Sequence, residues 1–357
     1  MKLLEVHDNI LSLIGHTPLV KLSKIGKRLK APIFCKLEFL NPGGSVKDRI
    51  GISMLKDAEK RGIISRGGTV VEPSSGNTGV GLALACVLLG YKLIVTMPDK
   101  MSEEKKRLLE AYGAKVIVCP SAKPPGDPEQ YISVAKRISR ETPNSFMPNQ
   151  YENKMNPETH YHTTGREIWE QTEGKVTHFV AGVGTGGTIS GVSKFLKEKN
   201  QKVKVIGVDP EGSVYYNAFK GRKNFKARQY KIEGIGEDFI PKTVDLSLID
   251  EIVKISDKEA YLMSRRLARE EALLTGSSSG AAVAGALKIA KNLKKDDLVV
   301  TILPDRGERY LSKLYDDSWM KDQGFLRTYH IKKRQSVHPQ KPGKNRAGRV
   351  KNEKLLR

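Results

Sequence analysis

Segments with strand-like and helix-like patterns alternate along almost the whole chain, and this alternation constrains the fold more than any other feature. Apolar runs at 69–72, 92–97 and 298–303 are bounded by turn residues, and helical patterns lie between such runs. Strands that alternate with helices form mostly parallel sheets with helices on both faces. Because two halves of the chain repeat the pattern, we predict an α/β protein with two lobes. A ligand should lie between them, at the carboxyl ends of the strands.

We predict one catalytic core of two lobes over residues 1–326, with the smaller lobe at about 45–150 and the remainder forming the larger lobe. Residues 327–357 have a different composition, since they contain eleven Lys or Arg and one acidic residue, Glu353. They therefore supply ten of the 22 net positive charges. This composition predicts a basic, disordered tail. Its expected contacts with nucleic acid are weak and non-specific, through phosphate attraction.

The cysteines and histidines exclude several classes of protein. Cys35, Cys86 and Cys119 are odd in number and contain no C-x-x-C pair, which indicates a reduced compartment and argues against a disulfide framework or a Cys-ligated metal. No histidine spacing indicates a metal site. The longest apolar stretch, 80–90, is too short to span a bilayer, and residues 1–9 do not form a secretory signal. We therefore expect a cytoplasmic protein with no metal and no membrane span.

The first candidate site is the segment Asn-Pro-Gly-Gly-Ser-Val-Lys-Asp-Arg at 41–49. Its glycines allow a tight turn and close approach to a ligand. We predict Ser45 as the N-cap of a helix that begins at Val46. The helix dipole disfavours a cation there, so Lys47 is a candidate amine nucleophile able to form a Schiff base. The alternative is a solvated lysine beside charged neighbours.

A second candidate site is the Gly-x-Gly-x-x-Gly pattern at 182–187, which lies between a predicted strand and a predicted helix. With Asp209 at the end of the next strand, it matches a dinucleotide-binding pattern. The physics of the pattern is less specific than a dinucleotide site, because a glycine-rich turn at a helix N-terminus binds any phosphate through its free amides. Phosphate binding is the favoured interpretation, and a dinucleotide site or a structural turn are the alternatives.

A third turn, at 73–79, is rich in hydrogen-bond donors and could bind a carboxylate. Its alternative is a helix cap with no ligand. The three features together are a lysine amine, a phosphate loop and a carboxylate loop. Pyridoxal phosphate with an amino acid substrate needs all three.

These residues occur in the order typical of a known family. The motifs at 15–20, 41–49, 72–79 and 184–188 resemble the cysteine synthase / cystathionine β-synthase family of fold-type II pyridoxal-phosphate enzymes, and the likeness covers about residues 8–326. The resemblance implies two open, twisted, mostly parallel sheets flanked by helices. It also implies a homodimer and pyridoxal 5′-phosphate as the cofactor.

The resemblance implies a role for each site residue. Lys47 would form the Schiff base, Asn77 would bond the cofactor's 3′-oxygen, and Ser278 would face its pyridine nitrogen. The phosphate loop would consist of Gly184, Thr185, Gly186, Gly187 and Thr188. The residues expected to hold the substrate carboxylate are Ser74, Ser75, Thr78 and Gln150. Glu233, with Gly234 beside it, would recognise the ammonium group of a second amino acid.

Within the family, residues 233–236 and 319–326 resemble the cystathionine-forming branch, whereas 307–311 are closer to the sulfhydrylases. Glu237 stands where the former branch commonly has Tyr. The implied reaction is β-replacement that condenses serine with homocysteine. The alternatives are cysteine synthesis from O-acetylserine and sulfide, and cystathionine synthesis from O-acetylserine. A more distant alternative is an NAD-dependent dehydrogenase. We predict neither haem nor adenosylmethionine control.

Overall fold

The computed structural model describes residues 6–74, 76–99, 101–124, 126–223 and 225–327. It contains a six-stranded and a four-stranded sheet. The strands, in chain order, are β1 (Leu19–Lys21), β2 (Ile33–Leu37), β3 (Thr69–Pro73), β4 (Lys92–Pro98), β5 (Lys115–Cys119), β6 (Ser145–Phe146), β7 (His178–Gly182), β8 (Lys204–Pro210), β9 (Glu251–Ile255) and β10 (Val299–Leu303).

Eleven α-helices are present in the described part of the chain. They are α1 (Lys47–Lys60), α2 (Asn77–Leu89), α3 (Glu103–Ala111), α4 (Tyr131–Glu141), α5 (Met155–His160), α6 (Arg166–Gln171), α7 (Gly187–Lys199), α8 (Tyr215–Phe219), α9 (Asp257–Glu271), α10 (Ser277–Ala290) and α11 (Asp317–Asp322). A π-helical turn, Tyr161–Gly165, joins α5 to α6.

The large sheet has the order β1-β2-β10-β7-β8-β9, and only β1 runs antiparallel to its neighbour. The small sheet has the order β5-β4-β3-β6 and is parallel throughout. The predicted α/β class with mostly parallel sheets is therefore confirmed. Residues 155–171 are helical without a break, as α5, the π-helical turn and α6.

Within the described residues, every helix is too short or too polar for a bilayer crossing. The same residues contain no group of three or more His, Cys, Asp or Glu side chains that could hold a metal ion. The predicted tail lies outside the described residues from position 328 onward.

Two helices of the smaller lobe, α1 and α2, cross with their backbones in contact. A Cβ added to Gly51 would lie 2.4 Å from the carbonyl carbon of Gly81, and a Cβ on Gly81 would lie 2.5 Å from the carbonyl oxygen of Lys47. Such distances exclude any side chain at either position. The crossing therefore places the first residue of α1 directly against the apolar helix α2, which is buried from Thr78 to Cys86.

A buried ionic network fixes the start of α1 to the end of β2 and to α6. Arg49 is 2% exposed, and its guanidinium lies 2.7 Å from Glu38 Oε2 and 2.6 Å from Glu167 Oε1. Lys36 Nζ lies 2.5 Å from Glu167 Oε2. Burial alone would raise the pKa of the Glu167 carboxyl, but Arg49 and Lys36 hold that pKa at about 2. Each of these charges lost its hydration when it was buried, so its stability depends on the oppositely charged partners around it.

Replacing Glu167 with Gln should lower the free energy of unfolding by about 3–5 kcal/mol, because the buried cations lose a counter-charge. Glu170→Gln is the matched control on the same helix. It breaks an exposed pair with Arg166 and should cost less than about 1 kcal/mol. Urea unfolding followed by circular dichroism measures both values, and equal losses in the two variants would contradict this account of the network.

The network also predicts a pH dependence. The pKa of Glu167 is depressed from 4.5 to about 2, so its stabilisation is complete above pH 4.5 and is lost as the pH falls towards 2. The wild-type protein should lose more stability than Glu167→Gln across this range. Urea midpoints of the two proteins at pH 3 and pH 6 measure the difference.

Candidate active site

A cleft lies where α1 and α7 begin, at the carboxyl ends of β7 and β10. The described residues that line it come from four segments far apart in sequence. They are Val46, Lys47, Ala181, Gly182, Gly184, Thr185, Gly186, Thr188, Ile189, Gly234, Ile235, Ile302 and Pro304. The predicted lysine and most of the predicted phosphate loop therefore share one cavity.

Lys47 is the first residue of α1 and is half-buried. Burial lowers the pKa of its ammonium, and the negative charges of Asp305 and Glu237 oppose this effect. The predicted N-cap was wrong by one residue, since Val46 occupies the cap position in helical conformation. Ser45 Oγ still accepts a hydrogen bond from Lys47 N at 3.3 Å. A lysine with a depressed pKa can act as a nucleophile and as a base.

The glycine loop leads into α7 without any side-chain cap, and Gly186 has φ +83°. A Cβ on Gly186 would lie 2.0 Å from Val244 Cγ2, and one on Gly187 would lie 1.8 Å from Asn156 Oδ1. The loop is therefore compressed between neighbours and tolerates no side chain at these positions. Its first-turn amides are the donors that bind a phosphate at a helix N-terminus.

The hydroxyls of the glycine loop are held by residues of α5. Asn156 Nδ2 donates to Thr185 Oγ1 at 3.0 Å, and His160 Nε2 lies 3.2 Å from Thr188 Oγ1. Burial lowers the pKa of His160 to about 3, so its imidazole is neutral. Sequence analysis missed both positioning residues. His160 and Thr188 are 28 positions apart, and no local pattern could have indicated their contact.

The predicted carboxylate-binding residues come together from two segments. Thr78 Oγ1 donates to Gln150 Oε1 at 2.7 Å, although 72 residues separate them. Ser74 Oγ accepts hydrogen bonds from Gly76 N at 3.1 Å and Gly79 N at 3.2 Å, which shapes the turn. Ser75 lies outside the described residues.

Glu72, which sequence analysis did not single out for a role, positions Gln150. Its buried carboxyl at the end of β3 accepts hydrogen bonds from Asn149 N at 2.9 Å and Gln150 N at 3.4 Å. Burial raises the pKa of Glu72 to about 8, against the effect of these two backbone donors. The loop carrying Gln150 is thereby fixed beside the turn that carries Thr78.

Asn77 begins α2 and contacts the larger lobe. Its Nδ2 donates to Asp305 Oδ2 at 2.8 Å, and its Oδ1 accepts from the guanidinium of Arg309. Tyr310 Oη donates to the same Asp305 oxygen at 2.5 Å. The other oxygen, Asp305 Oδ1, is buried and has no hydrogen-bond partner among the described residues. The segment 305–310 therefore orients the Asn77 amide.

Ser278 and Gly234 lie next to each other across the cleft. Ser278 is buried in the first turn of α10, and a Cβ on Gly234 would lie 3.7 Å from its Oγ. Glu233 has different surroundings, because its carboxylate pairs with Lys105 and lies 3.3 Å from Lys313 Nζ. Burial raises its pKa, but the two lysines hold that pKa below the usual value. An incoming ammonium group would have to compete with both.

Asp209 does not face the glycine loop as a ribose acceptor would. Its Oδ2 accepts a hydrogen bond from Tyr216 N at 2.8 Å at the start of α8. The neighbouring Tyr215 Oη donates to Gly184 O at 2.5 Å. Asp209 therefore supports α8, a short helix that contacts the glycine loop through Tyr215. The dinucleotide interpretation needed Asp209 as an acceptor for a ribose hydroxyl, so it loses that support.

The residues present fit pyridoxal phosphate. Lys47 supplies an amine with a depressed pKa, and the uncapped glycine loop supplies phosphate donors in the same cleft. Ser278 lies beside Gly234 of the cleft wall, and Asn77 is hydrogen-bonded to Asp305, which follows Pro304 of that wall. Neighbouring residues pack closely against the glycines of the loop. An anion at this site would therefore be bound by the backbone amides rather than by side chains.

Comparison with known proteins agrees with this fit. The sequence model of a family described as pyridoxal-phosphate dependent enzymes matches residues 10–305. Cystathionine beta-synthase of Apis mellifera is 48% identical over 324 residues, which are 90% of this chain and 64% of that protein. The cystathionine beta-synthase of Saccharomyces cerevisiae is 46% identical over 325 residues, covering 88% and 64% of the two chains. The chain thus spans less than two thirds of these relatives.

Two further matches have a length similar to that of this chain. A cysteine synthase of Staphylococcus aureus is 45% identical over 306 residues, covering 85% of this chain and 96% of that protein. The crystal structure of a hydrogen sulfide-producing enzyme from Fusobacterium nucleatum superposes with a TM-score of 0.79 at 38% identity. It covers 86% of this chain and 99% of the other.

Gly186→Ala should weaken pyridoxal phosphate binding by about tenfold or more, because the new Cβ would overlap Val244 and strain the loop. Gly113→Ala is the matched control. Its φ is +81° with no atom within 4 Å, so it introduces similar backbone strain away from the cleft. Titration of the cofactor-free proteins with pyridoxal phosphate, followed by visible absorbance, measures the affinities. Equal weakening in both variants would show that steric overlap at the loop is unimportant.

Proposed function

Because the chain belongs to the pyridoxal-phosphate dependent enzyme family, we propose that it catalyses β-replacement, condensing L-serine with L-homocysteine to cystathionine. This reaction belongs to transsulfuration and cysteine biosynthesis. The observation that carries the proposal is that Lys47 and the uncapped glycine loop line one cleft. The similarity to cystathionine beta-synthases over most of this chain supports the choice of reaction.

We assign the cofactor contacts as follows. Bound pyridoxal phosphate withdraws electrons from the substrate's Cα. The amides and hydroxyls of Gly184, Thr185, Gly186, Gly187 and Thr188 bind its phosphate. Asn77, whose amide is oriented by Asp305, would hold the 3′-oxygen, and Ser278 would lie at the pyridine nitrogen.

We assign the substrate contacts to the turn at 73–79 and to the loop that carries Gln150. Ser74, Ser75, Thr78 and Gln150 bind the carboxylate of the donor amino acid, and Glu72 keeps Gln150 in place. Lys47 Nζ, whose pKa is lowered by burial, takes the proton from Cα. The same amine gives that proton to the hydroxyl that leaves Cβ as water. The acceptor's sulfur then bonds to Cβ, and the proton of its thiol returns to Cα through Lys47.

Lys47→Ala should abolish turnover and the visible absorbance of the protein-bound cofactor, because no amine remains to bond its aldehyde. The protein purified with pyridoxal phosphate is compared with wild type by absorption spectroscopy and by cystathionine formation. Lys60→Ala, at the other end of α1, is the control and should keep both properties. Turnover in Lys47→Ala equal to wild type would refute the assignment.

A second candidate is cysteine synthesis from O-acetylserine and sulfide. The cysteine synthase relative supports it, because the match covers nearly that whole protein. The third is cystathionine synthesis from O-acetylserine. Assays with serine or O-acetylserine, each combined with homocysteine or sulfide, separate the three. We expect the largest kcat/KM for serine with homocysteine, and a largest value for O-acetylserine with sulfide would overturn the proposal.

We further propose that the enzyme is a cytoplasmic homodimer. Three buried, unpaired cysteines support a reducing compartment. Exposed Val87 and Leu88 at the end of α2 support an apolar contact between subunits. A single sedimenting species at the 39.6 kDa monomer mass would contradict the dimer.

A further inference from the structure

We propose that His160 is a positioning residue for the cofactor's phosphate, because it donates a hydrogen bond to the Thr188 hydroxyl and leaves the hydroxyl proton free for the phosphate. The imidazole would donate from Nε2 and accept at Nδ1 from Thr164. This role rests on the proposed function, since it requires a phosphate at the glycine loop. It deepens that function by assigning a direction to each hydrogen bond behind the loop.

His160 contacts the glycine loop without lining the cleft itself. Its Nε2 lies 3.2 Å from Oγ1 of Thr188, which is part of the cleft wall. Its Nδ1 lies 2.9 Å from Thr164 Oγ1. His160 is 1% exposed, so water does not compete for either nitrogen. The ring therefore connects a hydroxyl of the π-helical turn to a hydroxyl of the proposed phosphate site.

The imidazole has little freedom to move, because α5 and the π-helical turn pack directly on α7. A Cβ added to Gly191 would lie 2.1 Å from Pro157 O and 2.9 Å from His160 Cβ. A Cβ on Gly165 would lie 3.0 Å from Phe195 Cβ. Single π-helical turns within α-helices are found frequently at functional sites. The backbone that carries His160 is therefore fixed against the helix that follows the glycine loop.

The position of the ring proton decides what Thr188 offers to a ligand. Burial lowers the pKa of His160 to about 3, so the imidazole is neutral and carries one N–H. With the proton on Nδ1, the Thr188 hydroxyl would donate to Nε2 and present only lone pairs to the cleft. With the proton on Nε2, the ring donates to Thr188 and the hydroxyl proton is free. Thr164 is compatible with either state, since a hydroxyl both donates and accepts.

A phosphate at the loop selects the second state, because an anion accepts hydrogen bonds and is repelled by lone pairs. The other hydroxyl of the loop has an equivalent arrangement. Asn156 Nδ2 donates to Thr185 Oγ1 at 3.0 Å and to Gln150 O at 2.8 Å. Both hydroxyl oxygens therefore accept from side chains of α5, and both keep their own protons for the ligand.

The test titrates the cofactor-free wild type and His160→Phe with pyridoxal phosphate and with pyridoxal, which has no phosphate. In His160→Phe, the Kd for pyridoxal phosphate should rise about tenfold or more, since a hydrogen bond to a charged group loses its support. The Kd for pyridoxal should change by less than about twofold, because pyridoxal has no anion to accept that bond. Thr163→Val is the control and should match wild type. Its hydroxyl donates to Thr159 O at 2.6 Å, within the same helical segment.

A double-mutant cycle tests whether His160 acts through Thr188. Thr188→Val should weaken pyridoxal phosphate binding at least as much as His160→Phe does. Adding His160→Phe to Thr188→Val should change the Kd by less than about twofold, because the hydroxyl that the ring orients is already absent. Additive losses would overturn the proposal. A parallel loss with pyridoxal would overturn it as well, because it would indicate a structural role.

If His160→Phe does not fold, the ring proton is located in the wild-type holoenzyme. Nitrogen NMR of the histidine-labelled protein should show Nε2 of His160 protonated and Nδ1 unprotonated, and the opposite tautomer would refute the proposal. The signal of His160 is identified by its change in Thr188→Val. Visible absorbance of wild type with pyridoxal phosphate tests the proposed function separately. A colourless wild type removes that function, whereas a coloured one with the Nδ1–H tautomer removes only the role of His160.

Discussion

The backbone contact between α1 and α2 is the constraint on which the site depends. Gly51 and Gly81 let the two helices approach until a Cβ on Gly81 would meet the carbonyl oxygen of Lys47. Two residues further along α1, Arg49 is clamped by buried carboxylates of the larger lobe. Lys47 is therefore fixed from one side by close packing and from the other by charge. A nucleophile with so little freedom loses little entropy when it reacts.

The cleft contains several ionisable groups whose charged forms are disfavoured by burial. The pKa of Lys47 is lowered, that of His160 falls to about 3, and those of Glu72 and Glu237 rise to about 8. Such shifts cluster where chemistry is carried out, although buried structural groups show them too. Here the groups divide by position. His160 and Glu72 support loops, whereas Lys47 lines the cleft.

The two glutamates of the segment 233–237 illustrate how context decides the use of a carboxylate. Glu233 is compensated by two lysines, one of them on α3 of the smaller lobe, so it joins the lobes. Glu237 is bonded to a phenol and lies under the influence of Lys47. Sequence similarity drew attention to Glu233, because the motif around it resembles a known branch.

Local sequence determined the α/β class, the position of the glycine loop and the choice of Lys47 as a candidate, because turns, strand periods and helix ends depend on near neighbours. Family resemblance added the cofactor class, which the family match confirms. Tertiary structure alone decided which distant side chains meet, as with Thr78 and Gln150 or His160 and Thr188. It also showed that Asp209 supports a helix and that Lys105 reaches Glu233. Such pairings depend on how whole elements pack, and no stretch of neighbouring residues encodes that packing.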